Sequence, residues 1–195
     1  PGCISDIVSA DDKKALDAFV IAYYNNADEV ELFVNGRSLG RSAKSDNRLH
    51  ALWEGVPFEA GEIEAVSYKD GKEVMRHRRV TAGAPAMITL TADRTTIDAD
   101  GYDLSYITID CYDKDGTFVP TAMNQLYFDV EGAGELFGVD NGNAAGSESL
   151  KGSEMKLFNG KALAVIRTLK DVQGDIRLKV RGDGIKDATL VLRSE

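Results

Sequence analysis

Glu29, Glu31 and Phe33 alternate with Val30, Leu32 and Val34, and the run breaks at Asn35-Gly36 before Arg37-Ser-Leu-Gly-Arg41. Period two sends successive side chains to opposite faces of a strand. Asn-Gly between two such runs marks a hairpin, because a type I′ turn needs positive φ at both central residues. The rhythm recurs along the chain. It predicts strands over 19–24, 49–56, 62–68 and 73–81, with Asp70-Gly71 as a second tight turn. A further series falls at 87–92, 104–112, 126–130, 135–139, 162–168, 175–181 and 188–192. Short strands with turn signals every 8 to 12 residues or so predict β-sandwiches. The fold class expected is therefore all-β, as two consecutive immunoglobulin-like sandwiches.

Ala82-Gly-Ala-Pro-Ala86 is small and uncharged, and reads as the linker between them. The domains expected are 19–82 and 83–195, with residues 1–18 as linker or remnant. Ser9-x-x-Asp12 resembles a capping box, so a short helix over 13–19 competes with a strand starting near Ala15. The opening Pro1-Gly2-Cys3 reads as the start of a cut piece. At 195 residues the chain is too short for a (β/α)8 barrel, which takes roughly 250 residues. A content of 43% hydrophobic and 28% charged residues excludes a disordered chain. The net charge of −9 argues against nucleic-acid and anionic-membrane partners. No apolar run approaches the 18 or so residues of a membrane span. Cys111 sits in an apolar strand and is expected in the core. Two cysteines and two histidines make neither a disulfide framework nor a zinc site.

Four motifs carry chemistry on paper. Glu29/Glu31 and Glu62/Glu64 are i, i+2 carboxylates, roughly 7 Å apart on one strand face. Glycosidases use carboxyl pairs at such separations, but across a cleft, so a solvated face is the better reading. Asp113-Lys-Asp-Gly116 resembles part of a calcium loop, yet Cys111 and Ala122 would occupy ligand positions, so a hairpin turn is expected. Gly132-x-Gly134-x-x-x-Gly138 has the wrong spacing for a dinucleotide fingerprint and leads into a strand, so the glycines predict a bulge or sharp corner. The candidate carbohydrate contacts are Trp53, which could stack on a sugar ring, and the polar stretch Asp140, Asn141, Asn143 and Glu148. The competing readings are a core tryptophan and an Asx-rich connection bonding its own backbone.

Several segments resemble a known family. Residues 29–40 are similar to the "EVELFLNGKSLG" segment of bacterial glycoside hydrolase family 2 β-galactosidases. Residues 53–72 resemble the next part of that domain. Ala92-Asp-Arg-Thr-Thr-Ile97, Asp100-Gly-Tyr-Asp-Leu-Ser-Tyr106, Val139-Asp-Asn-Gly142 and Phe158-Asn-Gly160 resemble the domain that follows. The resemblance runs in order from about residue 19 to the end. Where the family often has "DNGDPTSHESF", this chain carries Asn143 in place of the second Asp and Ser147 in place of the His.

The resemblance implies two immunoglobulin-like modules C-terminal to a catalytic barrel that carries both glutamates of a retaining mechanism. No catalytic residue is therefore assigned here, and no metal or cofactor is expected. The implied parent is an exported bacterial β-galactosidase, periplasmic or secreted, and the implied partner is its catalytic barrel. The fragment is expected to be inactive alone, supporting the barrel and shaping its cleft or oligomer. The alternatives are an independent carbohydrate-binding module, with a glycan as partner, and a structural or adhesin-type spacer.

Overall fold

The computed structural model describes residues 4–5, 19–24, 26–43 and 50–195. The described residues contain strands and no helix. They divide into two compact units, one up to Thr81 and one from Ala82 to Glu195.

The first unit comprises β1 (Ile4–Ser5), β2 (Phe19–Tyr24), β3 (Glu29–Val34), β4 (Arg37–Ala43), β5 (His50–Val56), β6 (Glu62–Lys69) and β7 (Lys72–Val80). The order β1-β2-β5 makes a three-stranded sheet, and β4-β3-β6-β7 a four-stranded one. One apolar core joins them: Tyr23, Ala51 and Val56 from the first, Val30, Leu32, Val34 and Ala65 from the second. The alternation in β3 decides which residues enter it, since Val30, Leu32 and Val34 are buried while their neighbours stay half-exposed. Both tight turns have the backbone that their residues predict. Asn35 and Gly36 sit at φ 49° and 76°, Asp70 and Gly71 at 51° and 72°. Asn35 adds a second tie, accepting from the Glu62 amide at 2.8 Å and donating to the Ala60 carbonyl at 3.2 Å. Within the stretch expected as linker, Ile4 and Ser5 pair with Tyr23 and Ala22. The rival readings of 13–18 lie outside the described residues.

The second unit comprises β8 (Met87–Ala92), β9 (Thr96–Ile97), β10 (Leu104–Tyr112), β11 (Gln125–Gly132), β12 (Gly134–Asp140), β13 (Glu154–Lys156), β14 (Lys161–Thr168), β15 (Gly174–Gly182) and β16 (Ile185–Ser194). Its hydrogen-bonded path runs β12-β14-β10-β8-β16-β15-β11-β13. The path doubles back where β8 meets β16 through one parallel pairing, Met87 with Lys186. Ile107, Ile109, Cys111 and Ile166 on one layer then pack with Leu126, Phe128, Ile176, Leu178 and Leu192 on the other. β9 runs parallel to the end of β16, Thr96 opposite Arg193. The stretch Ala82–Ala86 is no free tether. Gly83 N–H donates to Asp113 Oδ2 at 2.7 Å, Ala86 N–H to the Tyr112 carbonyl at 2.9 Å, and Ala82 packs on the second core.

The chain passes from β11 to β12 at Gly132-Ala133-Gly134. Gly132 has φ 97°, and a Cβ there would lie 2.1 Å from the Asp175 carbonyl oxygen. At Gly134 a Cβ would lie 2.9 Å from the Arg167 oxygen. Between them, Ala133 N–H donates to Asp175 O and its own carbonyl accepts from Leu169 N–H. A register shift between Leu136 and Gly138 then bulges β12. These glycines make a corner and a bulge, as their spacing suggests.

Asp113-Lys-Asp-Gly116 is a turn closed by one carboxylate. Asp113 Oδ1 accepts from the amides of Asp115 and Thr117, and Oδ2 from Gly83. The amides of Gly83 and Thr117 hold its carboxyl below the usual range, with Asp115 adding to them, while burial opposes them.

Gly132→Ala should cost about 2 kcal/mol or more in urea unfolding, because backbone must move. Gly184→Ala has φ 73° but open space, and should cost only about 1 kcal/mol, the conformational penalty alone. The depressed Asp113 pKa contributes stability that is complete above the ordinary aspartate value near 4 and is lost as pH falls through the lower folded value. Asp113→Asn should therefore lower Tm at neutral pH and flatten the fall of Tm on acidification, measured by melts between pH 7 and about 3.

Candidate functional site

The glutamate pairs lie on the outer face of the first unit, and arginines occupy them. Arg41 bonds Glu31 at 3.1 Å and Glu29 at 3.3 Å, with its guanidinium 3.9 Å from the Tyr68 ring centroid. Arg76 bonds Glu64 at 2.6 Å and Glu73 at 3.1 Å, and Arg78 bonds Glu62 at 2.9 Å. The Ser38 hydroxyl, then Arg41 and Tyr68, hold the Glu31 carboxyl below its ordinary value. A glycosidase acid needs the opposite, a carboxyl kept protonated by an apolar or anionic setting. Arg76 does the same to Glu73, and Arg94 to Asp103. At Asp93 burial is outweighed by hydrogen bonds from Tyr106, Ser105 and Arg94. Among the described residues, every carboxyl with a resolved shift is pushed down. No group of three or more His, Cys, Asp or Glu among them is placed to hold a metal ion.

Trp53 sits on β5, half-buried against the first core, and its indole N–H donates to the Gly40 carbonyl at 3.4 Å. The other four candidates lie together in the second unit, on the connection leaving β12. Asp140 Oδ1 accepts from the amides of Asn141 and Gly142 at 2.6 and 2.9 Å. Asn141 Oδ1 accepts from Asn143 N–H at 3.0 Å, and Asn143 Oδ1 from Ala145 N–H at 3.1 Å. These are successive Asx turns, the geometry that short polar side chains supply to a chain with no ladder partner. Asn141 Nδ2 also donates to the Lys156 carbonyl at 3.0 Å, tying the loop to β13. Further on, Lys151 Nζ donates to the Phe137 carbonyl at 2.7 Å and stands 3.4 Å from that ring's centroid. Arg167 approaches the same ring at 4.4 Å. Cations over a ring face are attracted by its quadrupole, so the loop is held at both ends.

Glu148 differs from its neighbours. It lines an open groove of about 500 Å³ with Gln125, Ser149, Ser153, Glu154 and Lys156, beside Gly152. Apart from Glu148, sequence reading missed these residues. β13 is three residues long, too short for a period, and only its pairing with β11 (Gln125 opposite Lys156) brings Gln125 to the loop.

Comparison with known proteins places this geometry in a family. Glycoside hydrolase family 2 C-terminal domain 5 matches residues 88–191, more than half of the chain. A domain of unknown function, DUF4982, matches residues 18–75. A β-galactosidase of Bacteroides ovatus is 42% identical over 173 residues, covering 89% of this chain and 20% of that protein. A putative β-glucuronidase of Formosa agariphila is 33% identical, covering 76% of this chain and 14% of that protein. The chain thus spans about a fifth or less of the length of these curated relatives. The crystal structure of a glycosyl hydrolase family 2 member from Bacteroides cellulosilyticus superposes with a TM-score of 0.82 at 35% identity, over 91% of this chain and 24% of that one. A β-glycosidase from Bacteroides vulgatus gives 0.78 at 29%, over 97% and 24%. The chain belongs to glycoside hydrolase family 2, as a C-terminal domain region of the β-galactosidase and β-glucuronidase-like proteins.

Proposed function

We propose that this chain is a non-catalytic accessory part of a larger β-galactosidase, bracing the catalytic barrel and shaping its substrate cleft or its oligomer. The observation that carries the reading is the state of the carboxylates. The two pairs with suitable spacing are bonded to Arg41, Arg76 and Arg78 on an exposed strand face, and Glu31 is held below its ordinary value by Ser38, Arg41 and Tyr68, the opposite of what a general acid needs. Two sandwiches supply rigid faces and surface loops, the means by which one domain positions another. The relatives support the assignment of partner, since the chain matches only 14% to 20% of their lengths. The β-galactoside as substrate rests on the Bacteroides ovatus protein. Export to the periplasm or beyond is the setting that the family resemblance implies.

The purified chain should not release nitrophenol from a nitrophenyl β-galactoside. Removing the same region from the intact enzyme should lower its Tm or raise its KM. Turnover by the chain that disappears in Glu31→Gln would overturn the proposal.

A further inference from the structure

We infer that Met75 is a methionine-oxidation site, and that the first unit holds the resulting sulfoxide with the hydroxyls of Tyr23 and Ser67. The inference goes beyond the accessory reading and rests on the first unit alone.

Met75 lies on β7, an edge strand of the four-stranded sheet, and is 45% exposed. A register shift between Ser67 and Tyr68 leaves Val74 unpaired and sets Met75 opposite Ser67. The sulfur also reaches the other sheet. The Tyr23 hydroxyl, on β2, donates to Met75 Sδ at 3.6 Å. Tyr23 and Ser67 are 0% and 1% exposed. One residue thus meets both solvent and the polar groups of a core.

Those groups are short of partners. Among the described residues, Ser67 Oγ is buried with no hydrogen-bond partner, and so is His77 Nδ1. Burial raises the Tyr23 pKa, and the Ser67 hydroxyl beside the phenol lowers it in part. The His77 ring stands 6.0 Å from the Tyr23 ring, centroid to centroid, so both orphans flank the same phenol. A thioether sulfur is only a weak acceptor for these donors. A buried hydroxyl without a partner is costly.

Oxidation supplies the missing acceptor. Hydrogen peroxide is the oxidant. The sulfur lone pair attacks one peroxide oxygen, an S–O bond forms and the O–O bond breaks. The transferred oxygen gives up its proton to the departing hydroxide, which leaves as water. Sulfur loses two electrons and the peroxide gains them. The sulfoxide oxygen, one bond beyond the sulfur, accepts from the Tyr23 and Ser67 hydroxyls. A sulfoxide ordinarily disrupts an apolar core. Here two hydroxyls receive it, and the new bonds tie edge strand β7 to β2 across the layers.

The test is peroxide oxidation of the whole chain in a Met123→Leu background, which removes the 62% exposed methionine. Peptide mass mapping should place one oxygen on Met75 before any reaches Met155, which is 1% exposed. Reduced Ser67→Ala should melt at or above the parent, because it removes an unpartnered hydroxyl. After oxidation the order should reverse, with Ser67→Ala about 4 °C or more below the oxidised parent. Amide exchange over 72–80 should slow about fivefold on oxidation of the parent and stay unchanged in peroxide-treated Met75→Leu. Met75 left unoxidised under conditions that convert Met123 in the unsubstituted chain overturns the inference. So does an oxidised Ser67→Ala that still melts at or above the oxidised parent, or β7 exchange that oxidation leaves unchanged or speeds.

Discussion

Everything in the second unit depends on the chain changing layers within three residues. At Gly132-Ala133-Gly134 the backbone lies against Asp175 of β15, the side chain of Ile176 and the carbonyl of Arg167 on β14, with no space for a Cβ on either glycine. Ala133 bonds to Asp175 and Leu169 on opposite sides of it, so the corner is both the tightest approach and a hydrogen-bonded junction. It fixes where β12 begins, and hence where its bulge falls and where the polar loop departs. The groove beside β13 is a downstream result of that geometry, since the loop returns to pair with the strand that precedes the corner.

Electrostatics divides the molecule into charges that are satisfied and charges that are not. On the outer face of β3 and β6, arginines bridge glutamates and lie over aromatic and apolar surface. Such exposed pairs contribute little stability individually. Their effect on chemistry shows at Glu31 and Glu73, whose carboxyls are held below the ordinary value by Ser38 and Arg41 and by Arg76. The Asx loop is satisfied in a different way, by its own backbone.

The legible part of the sequence was the part governed by local rules. Alternation placed Val30, Leu32 and Val34 in the core, and Asn35-Gly36 and Asp70-Gly71 took positive φ because no other common pair enters a type I′ turn so readily. The Asp113 turn and the glycine corner were readable for the same reason. The strand at Ile4–Ser5 and the strand at Glu154–Lys156 were not, because each owes its existence to a distant partner rather than to its own residues. The Ala82–Ala86 stretch was legible only in part, for a related reason. Small residues with a proline mark where the second unit begins, but not that Asp113, some 30 positions on, binds the Gly83 amide. For the polar loop the reverse held. By type Asp140, Asn141 and Asn143 fit either a ligand contact or a self-bonded connection, and geometry decides it, since the Oδ1 of each accepts backbone amides.

The pairing of β16 with both β8 and β9 has a consequence for synthesis on the ribosome. β8 and β9 leave the exit tunnel well before β16, the strand that joins them to β15. Until residues 185–194 emerge, the hydrophobic surfaces of Ile88 and Ile97 lack the strand that completes their layer. Closure of this unit therefore waits for residues 185–194, and the nascent chain carries exposed strand edges until they emerge. The first unit, whose strands all precede Thr81, can close while the second is still being made.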